Sequence, residues 1–221
     1  MVELDSFLLP ERDIALFTDF YELSMAAAYF NSGQKDTIGL FEMFVRKLPK
    51  NRSYLVAAGL EQVIYFLVNF RFKHEHIEYL KNHKNFSNIS DRFFEYLSKL
   101  EFTGNLWAIP EGSIVFPNEP ILRIEAPIIE AQLVETYLLS VINFQTLIAS
   151  KASRIFEAAK GRSVIEFGSR RAHGPNAGIL AARASIIGGC QGTSNTYAGY
   201  KMRIPASGTM AHSFVMNFPT E

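Results

Sequence analysis

Apolar side chains recur every three or four residues across 18–30, at Phe20, Leu23, Ala27 and Phe30, and this spacing predicts a first helix. Thr18 and Asp19 are its candidate caps, and Gly33 lies beyond its end. The run Ile-Gly-Leu-Phe-Glu-Met-Phe-Val over 38–45 predicts a strand, followed by the basic segment 46–52. Helical spacing returns at 59–68, 74–83 and 90–100, with the polar stretch 84–88 dividing the last two. Between 104 and 127 the pattern changes to short β-type runs at 107–109, 113–116 and 121–124, punctuated by Pro110, Gly112, Pro117, Asn118 and Pro120.

Pro127 opens a long helical pattern over 128–160, carried by Ile129, Leu133, Tyr137, Val141, Phe144, Ile148, Ala152, Ile155 and Ala159 and ended by Gly161. Its length predicts a bend near Asn143-Phe144-Gln145. Beyond Gly161 the expected order is strand 163–167, helices 176–187 and 194–202, strand 204–207 and the beginning of a helix at 211–218. Short strands alternating with helices imply an α/β fold whose later part is the start of a barrel. The expected division is 1–127 as an amino-terminal α/β domain with short strands, and 128–221 as the long helix plus the first, incomplete part of the barrel.

The 221 residues are 48% hydrophobic and 13% aromatic, enough to bury a core. Lysine plus arginine and aspartate plus glutamate both number 22, so no global attraction to nucleic acid or anionic membrane is expected. Any anion must be met by a local cluster. The single Cys190 cannot form an internal disulfide, the first residues lack a signal-peptide layout, and no apolar run approaches the about 20 residues needed to span a bilayer. These features predict a soluble, cytoplasmic protein.

Three segments could carry chemistry. Phe167-Gly168-Ser169-Arg170-Arg171-Ala172-His173 places an arginine pair after a strand end, where barrels bind ligands and a guanidinium fork suits carboxylate or phosphate; simple pairing with a nearby acid is the alternative. Gly188-Gly189-Cys190-Gln191-Gly192-Thr193-Ser194-Asn195 is a glycine-rich turn running into a helix, suited to an anion or, equally, to a tight interhelical turn. In Gly208-Thr209-Met210-Ala211-His212, the histidine falls at a helix start. Neutral imidazole is favoured there, which makes His212 a candidate phosphoryl acceptor or else a cap. His74, His76 and His83 read as solvated, and no metal-ligand spacing or nucleophile triad is visible.

Taken together with Thr18-Asp19-Phe20-Tyr21-Glu22-Leu23-Ser24-Met25, Phe44-Val45-Arg46-Lys47-Leu48-Pro49, Gly59-Leu60-Glu61, Pro110-Glu111-Gly112, Pro117-Asn118-Glu119-Pro120, Glu166-Phe167-Gly168-Ser169-Arg170-Arg171-Ala172, Gly192-Thr193-Ser194-Asn195 and Gly208-Thr209-Met210-Ala211-His212-Ser213, the chain closely resembles the amino-terminal half of the nicotinate phosphoribosyltransferase family. The resemblance implies a type II phosphoribosyltransferase in NAD salvage, classed with ligases. In it nicotinate and 5-phosphoribosyl 1-pyrophosphate give nicotinate mononucleotide and pyrophosphate, with ATP hydrolysis coupled through a phosphohistidine. It implies His212 as that histidine, Phe167 as one face of a pyridine sandwich, and Tyr21 of a neighbouring subunit in a homodimer as the other. Arg170 and Arg46 would meet anionic groups, and Thr209 would lie in the same substrate-binding set. Mg2+ is the expected metal and ATP the co-substrate. Ser194 stands where related nicotinamide-using enzymes carry an aspartate that would repel a carboxylate, so serine favours the acid.

Family members are longer, and the barrel strands expected beyond Glu221 would come from a missing carboxy-terminal half. The alternatives are a nicotinamide or quinolinate phosphoribosyltransferase, or a truncated, non-catalytic ligand-binding or dimerising protein.

Overall fold

The computed structural model describes residues 11–219. Its mixture of helices with antiparallel and parallel strands is the expected α/β class. Contacts divide the described chain into two units. The first holds the residues up to 50 with 59–110 and 116–143, and the second holds 51–58, 111–115 and 144 onward.

In the first unit, α1 (Phe20–Asn31) buries Leu23, Ala26 and Ala27. Asp19 occupies its N-cap position, but its side chain makes no capping bond. Fully buried Glu22 acts there instead, accepting from the Thr18 hydroxyl and, at 2.8 Å, from Thr136 Oγ1, which itself accepts from the Asp19 amide at 3.2 Å. Burial pushes the Glu22 carboxyl up against the lowering effect of those two hydroxyls. Gly33 ends the helix with φ +74°, the left-handed conformation a C-terminal glycine supplies.

An antiparallel sheet is built around β5 (Pro120–Pro127), flanked by β1 (Ile38–Phe44) and β3 (Asn105–Ala108). Leu122, Ile124 and Ala126 share the buried face of β5, as a period of two requires, while Arg123 on the other face meets Glu42 across the strands. The helices α2 (Leu60–Asn69), α3 (His74–Lys81) and α4 (Asp91–Leu97) fill their core with Phe66, Phe70, Ile77, Leu80, Phe93 and Leu97.

Two of the three histidines read as solvated depart from that expectation. His76 is buried, not solvated: its Nδ1 accepts from the Lys73 amide at 3.2 Å and its Nε2 lies 3.1 Å from Asp13 Oδ1. With Nδ1 accepting, Nε2 carries the proton and donates to Asp13. His83 is half-buried against Phe20, and of these three only His74 is exposed.

The long helical pattern is interrupted at Val134, not near 143–145. α5 (Ile128–Leu133) ends there and α6 (Glu135–Ala158) begins one residue later. Gln145 and the polar residues that follow it on α6 are used within the second unit. Ser150 Oγ accepts from the Val56 amide at 2.8 Å and Thr146 Oγ1 from the Ala58 amide at 3.2 Å, while buried Gln145 meets Arg183. The helix runs through these residues without a break. That strand, β2 (Leu55–Val56), pairs with β4 (Ile114–Val115).

The remainder of the second unit is a parallel β-α-β arrangement. β6 (Ile165–Glu166) pairs with β7 (Gly192–Thr193) on either side of α7 (Pro175–Ile187), and α8 (Thr196–Met202) follows. The strand expected over 204–207 reduces to a parallel bridge of Ala206 to Thr193. The last helix, α9 (His212–Val215), is a single turn.

The glycines at 188 and 189 serve the interhelical reading. A Cβ at Gly188 would meet the Ala149 carbonyl oxygen at 2.3 Å, and Gly189, at φ +103°, lies against Phe156. Gly188→Ala is therefore expected to destabilise the fold by about 1–3 kcal/mol through overpacking. A denaturant midpoint equal to that of the wild type would refute it.

Candidate functional site

Parallel strands place their carboxyl ends on one edge, and the candidate residues of the second unit follow those ends. Phe167 comes directly after β6, Ser194 directly after β7, and Ser207-Gly208-Thr209 after the Ala206 bridge. Ligands of α/β sheets gather at this edge because loops leave the strands there with free amides and side chains. Arg170 lies in the 3-10 turn Ser169–Arg171 that continues from β6. His212 is the first residue of α9 and is exposed, as are Arg170 and Thr209.

Phe167, 47% exposed, lines a cavity of about 450 Å3 with Ile148, Ile155, Cys190, Lys151, Arg171 and His173. The floor is mostly apolar and the named cations stand among the lining residues. The adjacent arginines thus separate: Arg171 lines the cavity and Arg170 does not. Burial, and then the charge of Glu166, pushes the Cys190 thiol up, so this cysteine packs as an apolar residue and not as a nucleophile.

Sequence reasoning passed over the polar groups that tie the two strand-end loops together. Glu166 Oε1 accepts from the Gly168 amide, and Oε2 accepts from Thr193 Oγ1 at 2.7 Å. The same Thr193 hydroxyl accepts from the Asn195 amide at 3.0 Å, and Asn195 Nδ2 donates to Ser169 Oγ at 3.2 Å. Asn195 Oδ1 also caps α8 by accepting from the Ala198 amide at 2.9 Å. The available signal was that these residues flank Phe167 and Ser194 in the chain.

Two candidates belong to the first unit. Tyr21 projects from α1 at 51% exposure, and its hydroxyl is pushed up by desolvation and by Glu135, Glu22 and Asp19. Arg46 is exposed in the bend after β1.

Among the described residues one cluster, Asp13 with Glu75 and His76, has metal-ligand spacing. The Lys73 ammonium is already 3.7 Å from Asp13 and 3.8 Å from Glu75, and both ring nitrogens of His76 are engaged, so the cluster is an ion-pair network. No described helix is long and apolar enough to cross a membrane.

Residues 16–143 match the model of the nicotinate phosphoribosyltransferase (NAPRTase) N-terminal domain. A nicotinate phosphoribosyltransferase of Mycobacterium tuberculosis is 51% identical over 94% of this chain, and that of Bacillus subtilis is 45% identical over 96%. The chain spans only 44% and 42% of those relatives. The crystal structure of human nicotinic acid phosphoribosyltransferase superposes with a TM-score of 0.83 at 35% identity, covering 91% of this chain and 40% of that one. A nicotinate-nucleotide pyrophosphorylase from Pyrococcus furiosus gives 0.79 at 27% identity, over 100% of this chain and 48% of its own.

Proposed function

Because the chain belongs to the nicotinate phosphoribosyltransferase family, we propose that it carries the pyridine- and phosphoryl-handling side of that enzyme's site. The enzyme would join nicotinate to 5-phosphoribosyl 1-pyrophosphate, giving nicotinate mononucleotide and pyrophosphate, in cytoplasmic NAD salvage. The observation that carries this reading is the common position of Phe167, Ser194 and the Thr209 loop, each just beyond the carboxyl end of a parallel strand segment.

In this reading Phe167 stacks on the pyridine ring and holds it in line for attack by the ring nitrogen. Tyr21, presented on an exposed helix face, supplies the opposite ring from a second copy of the chain. Arg170, Arg46 and Thr209 meet the anionic groups of the substrates, where charge grows as the bond to pyrophosphate loosens. Ser194 accommodates the nicotinate carboxylate. ATP, as co-substrate, phosphorylates His212. A further segment completes the barrel, since the chain spans less than half of its relatives.

Mg2+ is the metal expected with these phosphates. Among the described residues lining the cavity Glu166 is the sole carboxylate, and hydrogen bonds occupy both of its oxygens. These residues do not make a Mg2+ site, so no step is derived through the ion.

The test is a substrate panel on the chain combined with the segment of a relative that it does not span. Nicotinate is expected to react in preference to nicotinamide and quinolinate. Ser194→Asp is expected to lower the preference for nicotinate over nicotinamide by at least about tenfold, because a like-charge contact costs several kcal/mol. Better turnover of nicotinamide by the unsubstituted protein would refute the role of Ser194. Ligand binding or dimerisation without any turnover would favour a non-catalytic protein.

A further inference from the structure

We propose that a closed ring of hydrogen bonds through Glu166, Gly168, Ser169, Asn195 and Thr193 is the frame that holds Phe167, Arg170 and Ser194 in register, with Glu166, Thr193 and Asn195 as positioning residues. The role rests on reading those three as substrate-binding.

Each candidate is bracketed by ring members in the chain. Phe167 stands between Glu166 and Gly168, Ser194 between Thr193 and Asn195, and Arg170 directly follows Ser169. Starting from Glu166, the path runs to the Gly168 amide, along the backbone to Ser169, across to Asn195, back to the Thr193 hydroxyl and home to the carboxylate. It crosses between the two strand-end loops twice. Beside it, the Ser194 amide donates to the Glu166 carbonyl at 2.8 Å. The loops are therefore tied through side chains as well as through the short parallel ladder.

The donor and acceptor inventory of the ring is full at its centre. Thr193 is 0% exposed, and its hydroxyl donates once and accepts once. The Glu166 carboxylate has a donor on each oxygen. A carboxylate beside a site meant for anions would repel them, and donors directed onto both oxygens draw its charge inward, away from the ligand.

The ring also accounts for the glycine at 168. Its φ of −92° is open to any residue, but a Cβ there would stand 2.8 Å from Glu166 Oε1. The glycine answers the approach of that oxygen, not a backbone conformation. Networks of this kind fix a geometry more strongly than they add stability, and a substrate site needs that fixity.

The decisive contrast is Thr193→Val against Thr193→Ser. Valine keeps the shape and removes both hydroxyl bonds, whereas serine keeps them. Amide hydrogen exchange by NMR and nicotinate affinity by calorimetry are measured on the chain combined with the segment of a relative that it does not span. Thr193→Val is expected to speed exchange at Gly168 and Asn195 by about tenfold, the effect of one lost hydrogen bond, while the Ala184 amide in α7 keeps its protection. Nicotinate affinity falls by about the same factor, and serine restores both readouts.

Unchanged exchange at Gly168 and Asn195 would overturn the ring. Faster exchange with unchanged nicotinate affinity would reduce it to scaffolding and overturn the positioning role alone. If the completed, unsubstituted protein binds no nicotinate, the substrate reading is overturned, and the positioning role with it.

Discussion

Arg183→Leu is expected to lower the stability of the chain by about 2–4 kcal/mol, somewhat less than the cost of removing one partner of a fully buried ion pair. Arg183 presents a guanidinium fork to Glu111, with Nη1 2.9 Å from Oε1 and Nη2 2.6 Å from Oε2, and Nη1 also lies 3.3 Å from Gln145 Oε1. The side chains of Arg183 and Glu111 are 14% and 21% exposed, and Gln145 is fully buried. Within the second unit this cluster ties α7 to α6 and to the loop before β4. Leucine would take the guanidinium fork away from the Glu111 carboxylate and from the Gln145 amide oxygen. Arg183→Lys keeps the charge but not the planar fork, and should recover only part of the loss. Replacing Arg183 and Glu111 together by leucine should be far milder than either change alone, because no charge is then stranded. Denaturant unfolding of the wild type, both single leucine variants, Arg183→Lys and the double variant decides it. A loss below about 1 kcal/mol for Arg183→Leu would put the pair with exposed surface bridges and refute the burial argument.

Much of this molecule could be read from periodicity. α1, α2, α3 and α7 lie where apolar spacing places them, and β1 fills all but the last residue of its expected run. What escaped were features fixed by distant partners. Asn143-Phe144-Gln145 looked like a weak point in a helix, but Gln145 and the nearby Thr146 and Ser150 meet donors from residue 183 and from residues 56–58, which no local pattern reveals. His76 sits in a polar sequence and is buried because Lys73 and Asp13 satisfy its two nitrogens. The 204–207 strand was legible as a tendency, yet Pro205 carries no amide and one bridge is all that forms with Thr193. At the candidate site the motif letters marked Phe167, Arg170, Ser194 and His212. The ring beneath them was not legible, since Glu166 and Thr193 meet only once the two strands are paired.

His212→Ala is expected to abolish ATP stimulation of nucleotide formation in the chain combined with the segment of a relative that it does not span, and to reduce label transferred from the γ-phosphate of ATP to background. The slower, ATP-independent joining should remain, because Phe167, Arg170 and Ser194 are untouched. The chemistry needs a neutral imidazole nitrogen that can reach the γ-phosphorus, forming a P–N bond as the bond to ADP breaks. Access is provided: His212 is exposed, in a segment that leaves the Ala206 bridge through Ser207, Gly208 and Thr209. The dipole of α9 contributes little to this argument, since one turn sums few peptide units. What favours His212 as the proposed acceptor is its place beyond a strand end, together with its exposure. His74, exposed on α3 in the first unit, is the matched control, and His74→Ala should leave label and stimulation intact. His173 is the informative competitor because it lines the Phe167 cavity. Acid-labile, base-stable label that persists in His212→Ala and disappears in His173→Ala would move the phosphoryl acceptor from the third strand end to the first.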